Sequence, residues 1–181
     1  MSLAVTMALM AAAVPGVRAA TQHFSFKVAS LSGGTLADED FRGKILVVDI
    51  WATWCGPCRM VIPHLVKIQE QYKVRGVAVL GLNSDDDAAT GPGRDAVARF
   101  VRETGINYPI GLMNPETYAE VSRVMGSSPD SGFSLPTTIV LSRDGRVVRR
   151  YPGYFHGQER ELEEVINGIL GSEAPAAPAK P

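Results

Sequence analysis

The pattern of apolar and polar residues along the chain predicts a series of strands alternating with helices. Residues 45–51 and 77–82 are almost entirely apolar and rich in β-branched side chains, which is typical of strands buried on both faces of a sheet. Residues 24–28 alternate apolar with polar side chains, which favours a strand with one face in solvent. The predicted strands are residues 24–28, 45–51, 77–82, 108–110, 137–141 and 147–151.

Between these strands, apolar residues recur at the spacing of helices. Pro63 is expected to kink the first long helix, and Asp144-Gly145 is a strong signal for a β-hairpin between the last two strands. An alternation of helices and buried strands that ends in a hairpin implies an α/β fold, with a mixed sheet covered on both faces. The predicted helices are residues 59–75, 95–104, 115–124 and 158–170, with a short helical turn at 37–41.

The two ends of the chain differ from this pattern. Residues 3–14 are an apolar run of twelve, shorter than the roughly twenty residues that span a bilayer, and they favour a signal peptide at 1–19 cleaved after Ala19. No Lys or Arg precedes Arg18, so a buried N-terminal helix is the alternative. Residues 20–171 are predicted to form one domain, followed by a disordered Ala/Pro-rich tail at 172–181.

Composition excludes several classes of function. The net charge is -1 and the charged residues are interspersed without a basic stripe, which argues against a nucleic-acid partner. The chain has two cysteines, two ligands short of a structural zinc site. A bridge across two intervening residues closes almost no loop and would add little stability. Redox chemistry is the remaining reason for the pair.

The motif Cys55-Gly56-Pro57-Cys58 stands directly after a predicted strand and before a predicted helix. Unpaired N–H groups and the helix dipole favour a thiolate at a helix N-terminus. Cys55 is therefore the predicted nucleophile, partly exposed and with a lowered pKa. Cys58 is expected to be more buried and to release the partner from a mixed disulfide. The alternative is a pair of incidental free cysteines.

Residues 48–60, followed by Pro63, resemble the thioredoxin active-site segment, and residues 134–138 resemble the cis-proline loop of that family. The lead-in at 24–43 and the added segment at about 85–124 are similar to the TlpA/ResA branch of exported thiol-disulfide oxidoreductases. This resemblance covers roughly residues 24–170. It implies a thioredoxin fold with a central mixed β-sheet flanked by helices, an N-terminal strand extension and an αβ insertion.

The resemblance also assigns roles to individual residues. Asp49, desolvated at the end of a buried strand, would take a proton from Cys58; the alternative is a satisfied Asp at a strand end. Pro136 would be cis and leave the Leu135 backbone free to pair with an extended substrate, whereas an ordinary proline would be trans. Two positions depart from the TlpA/ResA branch and are closer to ordinary thioredoxin: Val61, where an acidic residue is frequent, and Asp49, where Asn is frequent.

Three residues, Trp54, Gly56 and Pro57, are expected to form a rim that meets the partner, while Trp51 is expected in the core. His23, His64 and His156 are isolated, and residues 85–87 lack the Gly and Glu of a calcium loop, so no metal site is predicted.

The resemblance implies a reductase of protein disulfides, because a Gly-Pro pair is similar to that of reducing thioredoxins, near about -270 mV, rather than of oxidants near about -120 mV. It further implies a periplasmic or otherwise extracytoplasmic location, a membrane thiol-disulfide electron donor, a role in cytochrome c maturation or redox homeostasis, and a monomer. The redox-active disulfide is the only cofactor expected.

Three other functions stay open. A peroxiredoxin-like peroxidase shares the outer fold. Its peroxidatic cysteine is usually preceded by Thr three positions earlier, whereas here Ala52 holds that position and Thr53 lies two positions before Cys55. A copper-delivery module would usually have a C-x-x-x-C spacing and a nearby His. A redox-inert binding protein would keep the fold alone, and substitution of Cys58 would then change nothing.

Overall fold

The structure is a computed structural model that describes residues 22–86, 88 and 91–172. The predicted signal peptide at 1–19, Asp87 and the tail beyond Ser172 lie outside the described residues. Within those residues, no helix is both long enough and apolar enough to cross a membrane.

The described residues form seven strands and four α-helices, in the alternating order that the sequence predicted. Two short 3-10 helices lie at Asp38–Phe41 and Lys73–Arg75. The elements are β1 (Lys27–Ser30), β2 (Thr35–Ala37), β3 (Ile45–Trp51), α1 (Cys58–Tyr72), β4 (Val77–Asn83), α2 (Gly91–Thr104), β5 (Ile110–Leu112), α3 (Pro115–Met125), β6 (Thr137–Leu141), β7 (Val147–Pro152) and α4 (Gln158–Ser172).

All seven strands belong to one mixed sheet in the order β2-β1-β5-β4-β3-β6-β7. The β3–β4 and β4–β5 pairs are parallel, and the other pairs are antiparallel. The mixed, helix-covered α/β sheet is therefore confirmed. Because β3 and β4 are parallel neighbours, their carboxyl ends lie side by side, and this edge of the sheet holds the cysteine motif.

Strand β3 is buried along its whole length and divides the core into two layers. Val47 and Trp51 belong to the layer beneath α1, α2 and α4, whereas Val48 and Ile50 belong to the layer beneath α3 and the N-terminal segment. Successive side chains of a strand point to opposite faces, so Asp49 projects on the same side as Val47 and Trp51. The carboxyl group thus lies under the helix that begins at Cys58.

Several predicted boundaries were wrong. The first strand begins at Lys27 rather than residue 24, although the predicted alternation of buried and exposed residues extends back to Phe24. Strand β2 was missed, since its three residues follow a glycine-rich turn. Strand β5 is shifted towards Leu112.

Two helix boundaries also differ from the prediction. Helix α2 begins at Gly91 rather than at residue 95, because Pro is tolerated in a first helical turn whose N–H groups have no intrahelical partner. Helix α4 includes Ser172, which the sequence assigned to the tail; its hydroxyl donates to the Ile169 carbonyl at 3.1 Å. Helix α1 continues through Pro63, and the kink there stays a prediction.

Candidate active site

Cys55 and Cys58 form a disulfide, with their Cα atoms 5.4 Å apart. The chain leaves β3 at Trp51 and turns, with the Cys55 N–H donating to the Ala52 carbonyl at 3.1 Å. The Cys58 N–H, the first of α1, donates to Cys55 Sγ at 3.2 Å. The first sulfur therefore lies at a helix N-terminus, and a backbone donor that points at it would stabilise its thiolate when the bond is reduced.

Cys55 is less accessible than the sequence predicted. Only 3% of its surface is exposed, and Cys58 is fully buried. The expectation of a partly exposed Cys55 is therefore wrong for the disulfide form. The physical reason is that the sulfur is bonded to Cys58, which is itself fully buried.

A cavity of about 420 Å³ opens over Cys55, and it is lined by all four residues that the sequence assigned to partner binding. Trp54 stands at its edge with 73% of its surface exposed, whereas Trp51 is buried in the core as predicted. An exposed aromatic ring beside a reactive sulfur provides apolar contact area at little entropic cost. The lining residues are Trp54, Cys55, Gly56, Pro57, Ser84, Asp86, Tyr118, Phe133 and Leu135.

Tyr118 and Phe133 are lining residues that the sequence analysis missed. Their rings lie 4.7 Å apart between centroids and form an aromatic wall opposite the cysteine motif. Tyr118 lies on α3, far from Cys55 along the chain, and no local pattern brings the two together. Phe133 carried a weak signal, because it is the one large apolar residue in the small, polar loop that leads to Leu135.

The Leu135–Pro136 peptide bond is cis, as the resemblance implied. The Pro136 carbonyl accepts a hydrogen bond from the Gly153 N–H at 2.7 Å, which ties this loop to the end of β7. Among the described residues, no hydrogen bond is made by the Leu135 backbone N–H or C=O. These two groups are therefore available to an extended segment that enters the cavity.

Asp49 is completely buried at the centre of the sheet. Its Oδ1 accepts a hydrogen bond from the Thr138 hydroxyl at 3.2 Å, and that hydroxyl accepts one from Gln158 at 3.4 Å. No described residue is within hydrogen-bond reach of Oδ2. Burial raises the pKa of Asp49 to about 8, as the sequence reasoning anticipated in direction, and the Thr138 hydroxyl offsets part of this effect. A carboxyl group that titrates near neutral pH is suited to proton transfer.

Asp85 supports the cysteine loop, a role that the sequence analysis missed. Its carboxylate accepts hydrogen bonds from the Thr53 N–H at 3.1 Å and from the Asn83 side chain at 3.2 Å. The available signal was positional: Asp85 lies two residues after the end of β4, and β4 is the parallel neighbour of the strand that leads into the motif. Among the described residues, no group of three His, Cys, Asp or Glu side chains could hold a metal ion.

Comparison with known families extends these observations. The sequence model of the Redoxin family matches residues 16–166, which is more than half of the chain. The chain belongs to the Redoxin family. This Redoxin chain is 28% identical over 145 residues to "Thiol-disulfide oxidoreductase ResA" of Bacillus thuringiensis subsp. konkukian, covering 80% of this chain and 75% of that protein.

Two solved structures resemble the Redoxin chain, each at 25% identity. A thiol:disulfide interchange protein of the thioredoxin family from Chlorobium tepidum TLS matches with a TM-score of 0.69, over 83% of this chain and 97% of that one. A secreted thiol-disulfide isomerase from Corynebacterium glutamicum matches with a TM-score of 0.68, over 83% and 86%. The predicted thioredoxin fold is confirmed, and the Redoxin chain is a thioredoxin-like thiol-disulfide oxidoreductase.

Proposed function

We propose that this Redoxin chain reduces disulfide bonds of other proteins through the Cys55–Cys58 dithiol. The observation that carries the proposal is the disulfide at the start of α1, whose Cys55 lines a cavity of about 420 Å³. The free backbone groups of Leu135 and the exposed Trp54 ring support a protein substrate bound in extended form.

The reaction proceeds in two exchanges. In the reduced protein, the Cys55 thiolate attacks one sulfur of the substrate disulfide; that S–S bond breaks, a mixed disulfide forms, and the released substrate thiolate takes a proton from solvent. Asp49 then accepts the proton of the Cys58 thiol, whose sulfur attacks Cys55 and expels the second substrate thiolate. That thiolate takes up a proton from solvent, and Asp49 returns its own proton to solvent. The substrate gains two electrons and two protons, and the Cys55–Cys58 disulfide is restored.

The direction of electron flow is proposed from the residues between the cysteines. Gly56 and Pro57 are the pair found in reducing thioredoxins, whose reduction potential is about -270 mV. Strong oxidants have a reduction potential roughly 150 mV higher, a difference of about 7 kcal/mol for two electrons. We therefore expect the dithiol to donate electrons rather than to introduce disulfides. No cofactor besides the cysteine pair is required by this chemistry.

The cellular setting belongs to the same proposal. The apolar segment at residues 3–14 and the secreted relative from Corynebacterium glutamicum support export. Outside the cytoplasm, the dithiol would be regenerated by a membrane thiol-disulfide donor. Resemblance to the TlpA/ResA branch supports a monomer that acts in cytochrome c maturation or extracytoplasmic redox homeostasis.

The proposal is tested by equilibrating the purified chain with glutathione buffers and by following reduction of a protein disulfide under dithiothreitol. We expect a potential near that of reducing thioredoxins and turnover that is abolished in Cys55→Ser. A potential close to that of strong oxidants would contradict the reductase assignment. Rapid consumption of peroxide without any disulfide reduction would instead support the peroxidase alternative.

A further inference from the structure

Three buried polar atoms at the centre of the molecule have no hydrogen-bond partner among the described residues. They are Oδ2 of Asp49, Nε1 of Trp51 and the hydroxyl oxygen of Tyr108. All three residues are almost fully buried, with 5% of Tyr108 exposed. Leaving such atoms unpaired costs free energy, so three of them together call for a functional explanation.

The sheet register brings these atoms to one place. Asp49 pairs with Gly81 of β4, and side chains at paired positions of parallel strands point to the same face. A Cβ atom added to Gly81 would lie 2.8 Å from Trp51 Nε1 and 3.2 Å from Tyr108 Cε2. Because Gly81 has no side chain, the indole and the phenol ring can both lie against the strand beside the Asp49 carboxyl.

We propose that Tyr108 is a positioning residue for Asp49: through one bridging water molecule, its hydroxyl supports a hydrogen bond to the free carboxylate oxygen and orients that group for proton exchange with Cys58. This inference rests on the proposed function, because it concerns the carboxylate that takes the Cys58 proton. Electrostatics support the proximity, since the pKa of Tyr108 is raised well above its usual value, first by burial and second by the negative charge of Asp49.

The direction of this hydrogen bond follows from the chemistry of the three groups. An indole N–H can only donate, and an ionised carboxylate can only accept. A water molecule does both, so one buried water between the three groups can accept hydrogen bonds from the Trp51 N–H and the Tyr108 hydroxyl and donate one to Asp49. Removal of the hydroxyl therefore destabilises the ionised form of Asp49 and raises its pKa.

The other described groups around Asp49 on this side of the sheet are uncharged. On the same side of the sheet, Asp49 accepts a hydrogen bond from Thr138 of β6, which in turn accepts one from Gln158 of α4, and its register partner on β4 is Gly81. Thr138 and Gln158 are neutral, and the disulfide-bonded cysteines do not titrate. Among the described groups with a resolved pKa shift, Tyr108 is the one whose pKa is raised in part by the charge of Asp49.

Tyr151 provides a matched control. It is also a buried tyrosine with a hydroxyl that has no hydrogen-bond partner, and it lies on β7, beyond Thr138 from Asp49. The pKa of Tyr151 is raised by burial first and then by the charge of Glu161 on α4, while Arg149 on β7 opposes the shift, and Asp49 is not among its causes. Tyr151→Phe therefore removes a buried tyrosine hydroxyl, as Tyr108→Phe does, but at a position on β7.

The test is the ¹³C NMR titration of the Asp49 carboxyl carbon in the oxidised wild-type chain and in its Tyr108→Phe and Tyr151→Phe variants, with Asp49→Asn to assign the signal. We expect Tyr108→Phe to raise the midpoint by about one pH unit, a tenfold change in proton affinity or about 1.4 kcal/mol. Tyr151→Phe should leave the midpoint unchanged. Thermal unfolding of each variant verifies that the fold is retained.

An unchanged midpoint in Tyr108→Phe, a lowered one, or equal shifts in both tyrosine variants would overturn the inference. The titration requires no substrate, so its outcome is separate from that of the proposed function. If the wild-type chain fails to reduce a protein disulfide while the Tyr108-dependent shift is observed, only the proposed function is contradicted. If the chain reduces disulfides but the midpoint does not move, only the role of Tyr108 is lost.

Discussion

Replacement of Asp49 by Asn should make the stability of the oxidised protein less dependent on pH. The carboxyl is fully buried, and its pKa is raised from 3.8 to about 8 by the loss of hydration. Asn is nearly the same size, keeps an Oδ1 acceptor for the Thr138 hydroxyl, and carries no charge at any pH. The substitution therefore removes the titration and retains the packing.

The sign of the effect follows from proton binding. Between about pH 4 and pH 8 the folded chain keeps the Asp49 proton, while the unfolded chain has lost it. The free energy of unfolding of the wild type must then fall as pH rises through this window and level off above it. At about 1.4 kcal/mol per pH unit, the upper limit is about 6 kcal/mol. Relaxation around the buried charge reduces such penalties, so we expect about 2–6 kcal/mol.

The assay is urea unfolding of the oxidised wild type and of Asp49→Asn at pH values from 4 to 9, with linear extrapolation to water. The difference between the two proteins isolates Asp49, because all other groups titrate in both. Asp95→Asn, at an exposed position of α2, is the control for removing one carboxylate. Parallel stability curves for wild type and Asp49→Asn over the whole range would refute the reasoning.

Other substitutions test the surroundings of the cysteine pair. Asp85→Ala removes the acceptor for the Thr53 N–H and should lower the free energy of unfolding by about 1–3 kcal/mol; no change in thermal unfolding would mean that the contact is unimportant. Trp54→Ala, at a largely exposed position, should leave stability within about 0.5 kcal/mol but raise KM for a protein disulfide. Equal loss with a small disulfide such as oxidised glutathione would argue against partner contact. Gly81→Ala should cost about 1–3 kcal/mol, because its Cβ would be 2.8 Å from Trp51 Nε1, and an unchanged unfolding midpoint would contradict the packing described.

The sequence predicted the parts of this molecule that depend on local patterns. The buried strand before Cys55, the helix after it and the Asp-Gly hairpin each follow from runs of residues that are adjacent in the chain. The desolvation of Asp49 was accessible for the same reason, since a carboxylate within a continuous apolar run must be buried if the run is a central strand.

Contacts between distant segments were not accessible in this way. The aromatic wall of Tyr118 and Phe133 depends on how α3 is placed over the sheet, and the support from Asp85 depends on the parallel pairing of β3 with β4. The exposure of Cys55 was overestimated because the cysteine is bonded to the fully buried Cys58 in the disulfide form. Such features require the tertiary arrangement, which no spacing rule encodes.

The most direct measurement of the central claim is mass spectrometry of covalent complexes formed by Cys58→Ser with a disulfide-containing protein, beside Cys55→Ser as the matched control. With Cys58 absent, the mixed disulfide at Cys55 cannot be resolved. The account predicts that Cys58→Ser accumulates a complex bonded through Cys55 and released by dithiothreitol, whereas Cys55→Ser accumulates little. Absence of any complex with Cys58→Ser, or equal trapping by both variants, would contradict it.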